Sequence, residues 1–199
     1  MEEKFKNTSD IQLMLNFKEG SIPAFEELIK RYKKSVMNVI YRFLGDRDEA
    51  ENLSLEVFLR VYKSAKRYRV KAKFSTWLYK IAVNLSLSEL KKRRKHFSIS
   101  LNTPIATDKG ESGELIDEMA DSSPPPEKIL EEKERNLLIK EAIGLLPPEQ
   151  RMAIILRIYE DLSYKEISKI LDCSVKSVES KLYRARISLK KRLQSSLKA

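Results

Sequence analysis

Residues 163–187 read SYKEISKILDCSVKSVESKLYRARI, and no other stretch constrains the fold as tightly. Ser163 followed by Glu166 has capping-box spacing, so a helix can start there with its free N–H groups satisfied. Ile167, Ile170 and Leu171 give that helix one apolar face. Asp172, Cys173 and Ser174 break the pattern, and Ser174 suits the N-cap of a second helix. In that second helix Val178, Leu182, Ala185 and Leu189 recur at helical spacing and should face inward. Lys176, Ser180 and Tyr183 lie opposite, flanked by Glu179 and Arg184. Two short helices around a tight turn, the second with a basic, hydroxyl-rich outer face, fit a helix-turn-helix that reads duplex DNA in the major groove. The plainer alternative is a surface hairpin with solvated charges.

Charge favours the first reading. The chain has 199 residues and a formal net charge of +10, which suits a polyanionic partner. The excess is uneven. Residues 97–126 hold six acids (Asp108, Glu111, Glu114, Asp117, Glu118, Asp121) against one base, Lys109. Two basic blocks therefore flank an acidic strip. One cysteine, Cys173, excludes an internal disulfide and a cysteine-based metal cluster. With no long apolar run and no signal-peptide pattern, the expected location is the cytoplasm.

The chain divides into three parts: 1–96, 97–123 and 124–199. The first reads as four helices. The first runs from Ser9-Asp10 to about Phe17, and Gly20, Ser21 and Pro23 form a break. The next spans Ala24–Phe43, with Phe25, Leu28, Tyr32, Val36, Val39 and Ile40 on one broad face. A third runs from about Asp48 to Ala65, and a fourth from about Phe74 to Lys95. The fourth ends in five consecutive bases, Lys91 to Lys95. Residues 97–126 lack sustained periodicity and contain SSPPP, the composition of a linker. Glu127 starts a helix to about Gly144. Pro147-Pro148 starts another, with Met152, Ile155, Leu156 and Tyr159 inward. The fold class is all-α: two small helical domains joined by an extended acidic linker, the second ending in the helix-turn-helix.

Catalytic chemistry is thinly represented. There is one histidine, His96, and no Gly-rich phosphate loop, metal-ligand spacing or nucleophile elbow. Neither enzymatic activity nor a cofactor is expected. The fourth helix carries Phe74, Trp77 and Tyr79 at its start and cations at its end. Aromatics with positive charge are how proteins hold single-stranded nucleic acid, although these aromatics also suit a core. The third helix has acids in its first turns, which complement the helix dipole. Leu55, Leu59 and Tyr62 lie off its main apolar stripe, and a helix with two apolar faces wants two partners.

AFEELIKRY (24–32), LGDRDEAENLSLEVFLRVY (44–62), FSTWLYKIAVN (74–84) and LPPEQRMAIILRIYEDLSYKEISKILDCSVKSVESKLYRAR (146–186) together resemble a bacterial RNA polymerase sigma factor of the extracytoplasmic-function class. The resemblance runs almost end to end. It implies a sigma-two-like domain over 1–96 and a sigma-four-like domain over 124–199. The third helix would bind the β′ clamp helices of core polymerase through Asp48, Glu49, Glu51, Asn52, Leu55, Glu56 and Leu59. The minus-ten element would be melted and held by Tyr68, Lys71, Lys73, Trp77, Lys80, Asn84, Lys91, Lys92 and Arg93. The last helix would read the minus-thirty-five duplex through Lys176, Ser177, Glu179, Ser180, Tyr183, Arg184 and Arg186. The acidic linker would thread through the polymerase towards the RNA exit path. The implied partners are core polymerase (β′ clamp helices and β flap), promoter DNA and an anti-sigma factor, with no membrane insertion. Leu55, the loop RYRVKAKF and Glu179 depart from the family pattern.

A helix-turn-helix regulator acting without stable polymerase binding is the rival reading, and a pure protein-interaction adaptor is a third. The regulator accounts for 146–190 but not for the FSTWLYKIAVN helix or the acidic linker.

Overall fold

The computed structural model describes residues 5, 7–100 and 126–196, with backbone alone at 96–100, 126–133 and 195–196. From residue 101 the expected linker lies outside the described residues. Among those that are described, every regular element is a helix.

Helix α1 (Asp10–Lys18) is capped by Ser9, whose Oγ accepts from Gln12 N at 3.3 Å. Its Phe17 ring stacks on Phe25 at 4.3 Å. Helix α2 (Ile22–Leu44) begins two residues before the expected Ala24. Pro23 sits in its first turn, where a missing N–H costs nothing, so it opens the helix instead of breaking it. Gly45, at φ +80°, closes α2 and donates to Tyr41 O at 2.7 Å. Only glycine adopts that backbone without a Cβ penalty. Asp46 then caps α3 (Arg47–Ser64), accepting from Glu49 N at 2.9 Å. A 3₁₀ turn (Ala65–Arg67) and a loop lead to α4 (Phe74–Ser100). Helix α4 overruns the expected end of the first block at 96. Nothing in HFSIS breaks a helix, and the next proline in the sequence is Pro104.

Helix α2 packs on α1, α3 and α4. Phe43, Leu28, Ile40, Phe74 and Leu78 are fully or almost fully buried between them. Each such side chain contributes roughly 1.5–3 kcal/mol through burial.

The second block comprises α5 (Pro126–Gly144), α6 (Pro148–Ile158), α7 (Tyr164–Leu171) and α8 (Val175–Ser196). The capping box at Ser163 and Glu166 is fully formed. Asp172 closes α7 in the left-handed conformation, φ 54°. Ser174 Oγ then accepts from Ser177 N at 3.1 Å, starting α8. Val178, Leu182 and Ala185 are buried, and Leu189 is partly so. Tyr159 corrects one expectation. It follows the end of α6 and lies exposed, with the Arg42 guanidinium 3.8 Å above its ring. Helix α6 stops at Ile158, so the inward register no longer applies there.

The two blocks touch. Helix α7 packs along α4, and α6 against α2. Arg151 of α6 donates to Phe43 O at 2.8 Å, and also to the carbonyls of Gly144 and Leu146. A cation at the C-terminus of α2 complements that helix dipole. Burial, and then the nearby Arg94, lowers the Arg151 pKa from its ordinary value.

Candidate nucleic-acid and polymerase interfaces

Three helices carry the side chains in question, each on a face fixed by the packing behind it. On α3, Val57, Phe58 and Val61 are buried against the bundle. That turns Asp48, Glu51, Asn52, Leu55 and Leu59 outward, all exposed. Their spacing of three or four residues places them on one face. Leu55 is 58% exposed, Leu59 43% and Tyr62 51%. The acidic helix thus carries an apolar row exposed to solvent. Glu56 is half-buried and ion-paired with Arg60 at 2.9 Å. Glu49 differs from its neighbours, because it turns towards α4 and pairs with Arg93.

On α4, Phe74 and Leu78 are buried, and Trp77 is half-buried between Tyr68 and Phe74, with ring centroids at 5.1 and 6.0 Å. Tyr68 is only 5% exposed. The expectation that it meets a DNA strand conflicts with this placement: Tyr68 instead backs Trp77, and its hydroxyl pKa is raised by burial. Lys71 and Asn84 are exposed. Lys73 Nζ lies 2.8 Å from Glu166 Oε1, and Lys80 Nζ lies 3.3 Å from Asp172 Oδ1. The hydrogen bond from Lys73, followed by those from Ser163, holds the Glu166 carboxyl at a pKa of about 2.

The basic run at the end of α4 is split by its neighbours. Arg93 reaches back to Asp46 at 3.3 Å and to Glu49, clasping the start of α3. It therefore ties two helices together, whereas a phosphate contact was expected. Lys92 pairs with Glu89 at 3.7 Å. Lys91 and Arg94 line a cleft of about 660 Å³ shared with Ser177, Ser180, Lys181 and Arg184 of α8.

Helix α8 turns Lys176, Glu179, Ser180, Tyr183, Arg184 and Arg186 outward, all exposed, with Tyr183 at 66%. Ser177 is half-buried and accepts from Lys181 Nζ at 2.7 Å. This arrangement has the shape of a recognition helix, with its polar and charged groups on the face away from the core.

Residues 28–96 match the family model for Sigma-70 region 2, and residues 136–189 that for Sigma-70, region 4. The RNA polymerase sigma-H factor of Pseudomonas aeruginosa is 30% identical over 191 residues, spanning 95% of this chain and 96% of that protein. The ECF RNA polymerase sigma factor SigW of Bacillus subtilis is 31% identical over 89% of this chain and 92% of its own length. The ECF RNA polymerase sigma-E factor of Escherichia coli K12 is 31% identical over 94% and 95%. The chain belongs to the ECF RNA polymerase sigma factors.

As a sigma factor it is a transcription initiation protein and not an enzyme. Two solved structures share the fold. One is RpoE of Bartonella quintana in complex with the anti-sigma factor NepR, with a TM-score of 0.66 and 20% identity, covering 87% of this chain and 98% of that one. The other is CnrH in complex with the cytosolic domain of CnrY, with a TM-score of 0.65 and 18% identity, covering 94% and 97%. Among the described residues no helix of this sigma factor is long and apolar enough to cross a membrane. No group of metal-ligating side chains is assembled among them.

Sequence reasoning missed Ser35 and Glu160. Glu160 follows α6 and accepts from both Ser35 and Tyr79, whose own oxygens are 2.5 Å apart. Burial, then the bond to Glu160, raises the Tyr79 pKa. No periodicity marks a serine and a glutamate 125 positions apart as neighbours.

Proposed function

We propose that this sigma factor engages core polymerase through the exposed row on α3, opens the minus-ten element with the start of α4, and reads the minus-thirty-five duplex with α8. One observation carries the reading: the acidic-apolar face of α3 and the aromatic-basic helix α4 stand on one rigid bundle, tied by Arg93 to Asp46 and Glu49. Polymerase bound to α3 would thereby fix where α4 meets DNA. Residues 1–96 form the polymerase-binding and melting unit, 97–123 the linker between the units, and 124–199 the duplex-reading unit.

Within the melting unit, Lys71, Lys73, Lys80 and Lys91 supply charge to the strand, Asn84 a polar contact, and Trp77 a stacking ring. Tyr68 is the support of Trp77. Partners are the β′ clamp helices and β flap of core polymerase, promoter DNA and an anti-sigma factor, all in the cytoplasm. The anti-sigma partner is drawn from the complex in which RpoE of Bartonella quintana was captured with the anti-sigma factor NepR.

Run-off transcription with core enzyme on a genomic promoter library tests the reading. Discrete start sites that need both core enzyme and this chain are expected. A gel shift separates the rival class: tight duplex binding by the chain alone, unchanged by core polymerase, would identify an ordinary helix-turn-helix regulator.

A further inference from the structure

The cleft between the end of α4 and the side of α8 is walled by two matching stripes. Leu87, Leu90, Lys91 and Arg94 face it from α4. Ser177, Ser180, Lys181 and Arg184 face it from α8, at identical spacing. That spacing keeps each set on one side of its helix, and each stripe ends in two cations. The space between them, about 660 Å³, falls in the range in which proteins hold small molecules.

The cations are unevenly answered. Lys181 is satisfied by Glu149 Oε2 at 3.2 Å and by Ser177 Oγ at 2.7 Å. Among the described residues, Lys91, Arg94 and Arg184 pair with no carboxylate. Arg94 is also close enough to Arg151 to help lower its pKa. Like charges gathered in this way repel until a counter-charge arrives. The start of α6, which carries the partial positive charge of a helix N-terminus, lies on the same wall. Beside the cations, Leu87, Leu90, Pro147 and Pro148 give the cleft an apolar side.

A bare anion would use the cations and leave the leucines and prolines idle. An apolar molecule would leave the cations unanswered. A phosphorylated molecule with a flat ring uses both, and guanidinium forks match phosphate oxygens two bonds at a time. We infer that the cleft binds a small molecule of the nucleotide class, its phosphates held between Arg94 and Arg184 and its ring against the leucine–proline side. Because the walls come from both blocks, such a ligand stabilises their docked arrangement in proportion to its occupancy.

The test uses the full chain without core polymerase, in about 0.15 M salt to screen loose attraction and without divalent cations. Calorimetric titration with ADP and with GDP is the first readout, and the rise in melting temperature with nucleotide is the second. Arg94→Gln and Arg184→Gln each remove one exposed cation, from opposite walls. Arg67→Gln and Arg69→Gln, exposed cations outside the cleft, are the charge-matched controls.

At least one nucleotide should bind saturably, one per chain, and raise the melting temperature. Arg94→Gln and Arg184→Gln should each weaken it about tenfold, and the controls less than about twofold. Inorganic pyrophosphate should bind more weakly than the nucleotide, since it lacks the ring. No saturable binding of either nucleotide overturns the inference. So does a loss confined to one helix, or a loss matched by the controls. Pyrophosphate binding as tightly as the nucleotide would remove the apolar side from the site and overturn the ligand class. A hexathymidylate strand that binds as tightly and weakens in the same two variants would make the cleft a nucleic-acid groove, which also overturns it. Neither core enzyme nor a promoter enters these measurements, so their failure leaves the roles proposed for α3, α4 and α8 to be judged by run-off transcription alone.

Discussion

Helices α4 and α8 both present cations and an aromatic ring, the features of the two proposed nucleic-acid surfaces, yet their surroundings differ. The outer face of α8 is open along its length, from Lys176 to Arg186. The start of α4 is half covered: Lys73 and Lys80 are paired with acids from the other block, and Trp77 is wedged against Tyr68. A helix that reads duplex DNA meets a partner that is already shaped, so its side chains can wait in water. A helix that holds an opened strand needs a ring set at a fixed angle, which demands packing behind it. On α4 the ring is packed and the neighbouring lysines are covered, whereas Tyr183 of α8 is 66% exposed.

The largest expected effect tests that packing. Emptying a fully buried aromatic site costs about 3–5 kcal/mol, and Trp77 is half-buried, so Trp77→Ala should destabilise the bundle by less than that. Denaturant unfolding gives the loss, and permanganate footprinting of promoter DNA with core enzyme gives opening. The expected pattern is a folded variant that binds core polymerase but leaves the promoter closed. A variant that opens promoters normally would show that the wedged ring is core alone and break the contrast with α8.

Next is the face of α3 proposed to meet polymerase. Glu56→Arg places a cation among Leu55, Leu59 and the acids of α3. Competition for core enzyme should weaken about tenfold or more, a change of about 1.4 kcal/mol, with the melting temperature close to wild type. If the variant competes as well as wild type, the anchor lies elsewhere.

Local signals made the fold legible, and charge pairing decided what stayed hidden. The capping box at Ser163 and the N-cap at Ser174 each mark a helix start by chemistry within four residues, and each appears as expected. The exposed apolar row on α3 was visible because Leu55, Leu59 and Tyr62 break the stripe of their own helix. What escaped depends on distant partners. Nothing near Arg93 shows that it turns back to Asp46 and Glu49, so it read as one more cation in a run. Tyr68 sits in a basic loop and read as exposed, although its ring completes the support of Trp77. The contacts of Ser35, Glu160 and Asp172 join residues from opposite ends of the chain, which neither spacing nor composition encodes.

On the open helix the effect should fall on choice of base. Glu179 stands beside the Lys176–Ser180–Tyr183 face, where a carboxylate repels phosphate but accepts from the N4 amino group of cytosine. Glu179→Lys should change discrimination at one base pair of the minus-thirty-five element by roughly 1–3 kcal/mol. A promoter-library selection reads this directly. If Glu179→Ala keeps the wild-type preference at every position, the carboxylate reads nothing.

The smallest effect concerns the covered lysine and sharpens the contrast through pH. The Glu166 carboxyl is held at about 2, against an ordinary 4.5. A carboxylate with a depressed folded-state pKa stabilises fully above the ordinary value. That contribution fades as pH falls through 4.5 and is gone below about 2. Two donors share the work, Lys73 from the other block and Ser163 from the capping box. Lys73→Ala removes the first alone, so the carboxyl midpoint, followed by NMR of the Glu166 side chain, should move up towards 4.5. It should stop short of it, because the capping box remains. A midpoint unmoved by Lys73→Ala would mean that the lysine does not reach Glu166 in solution, and that the start of α4 is as open as α8.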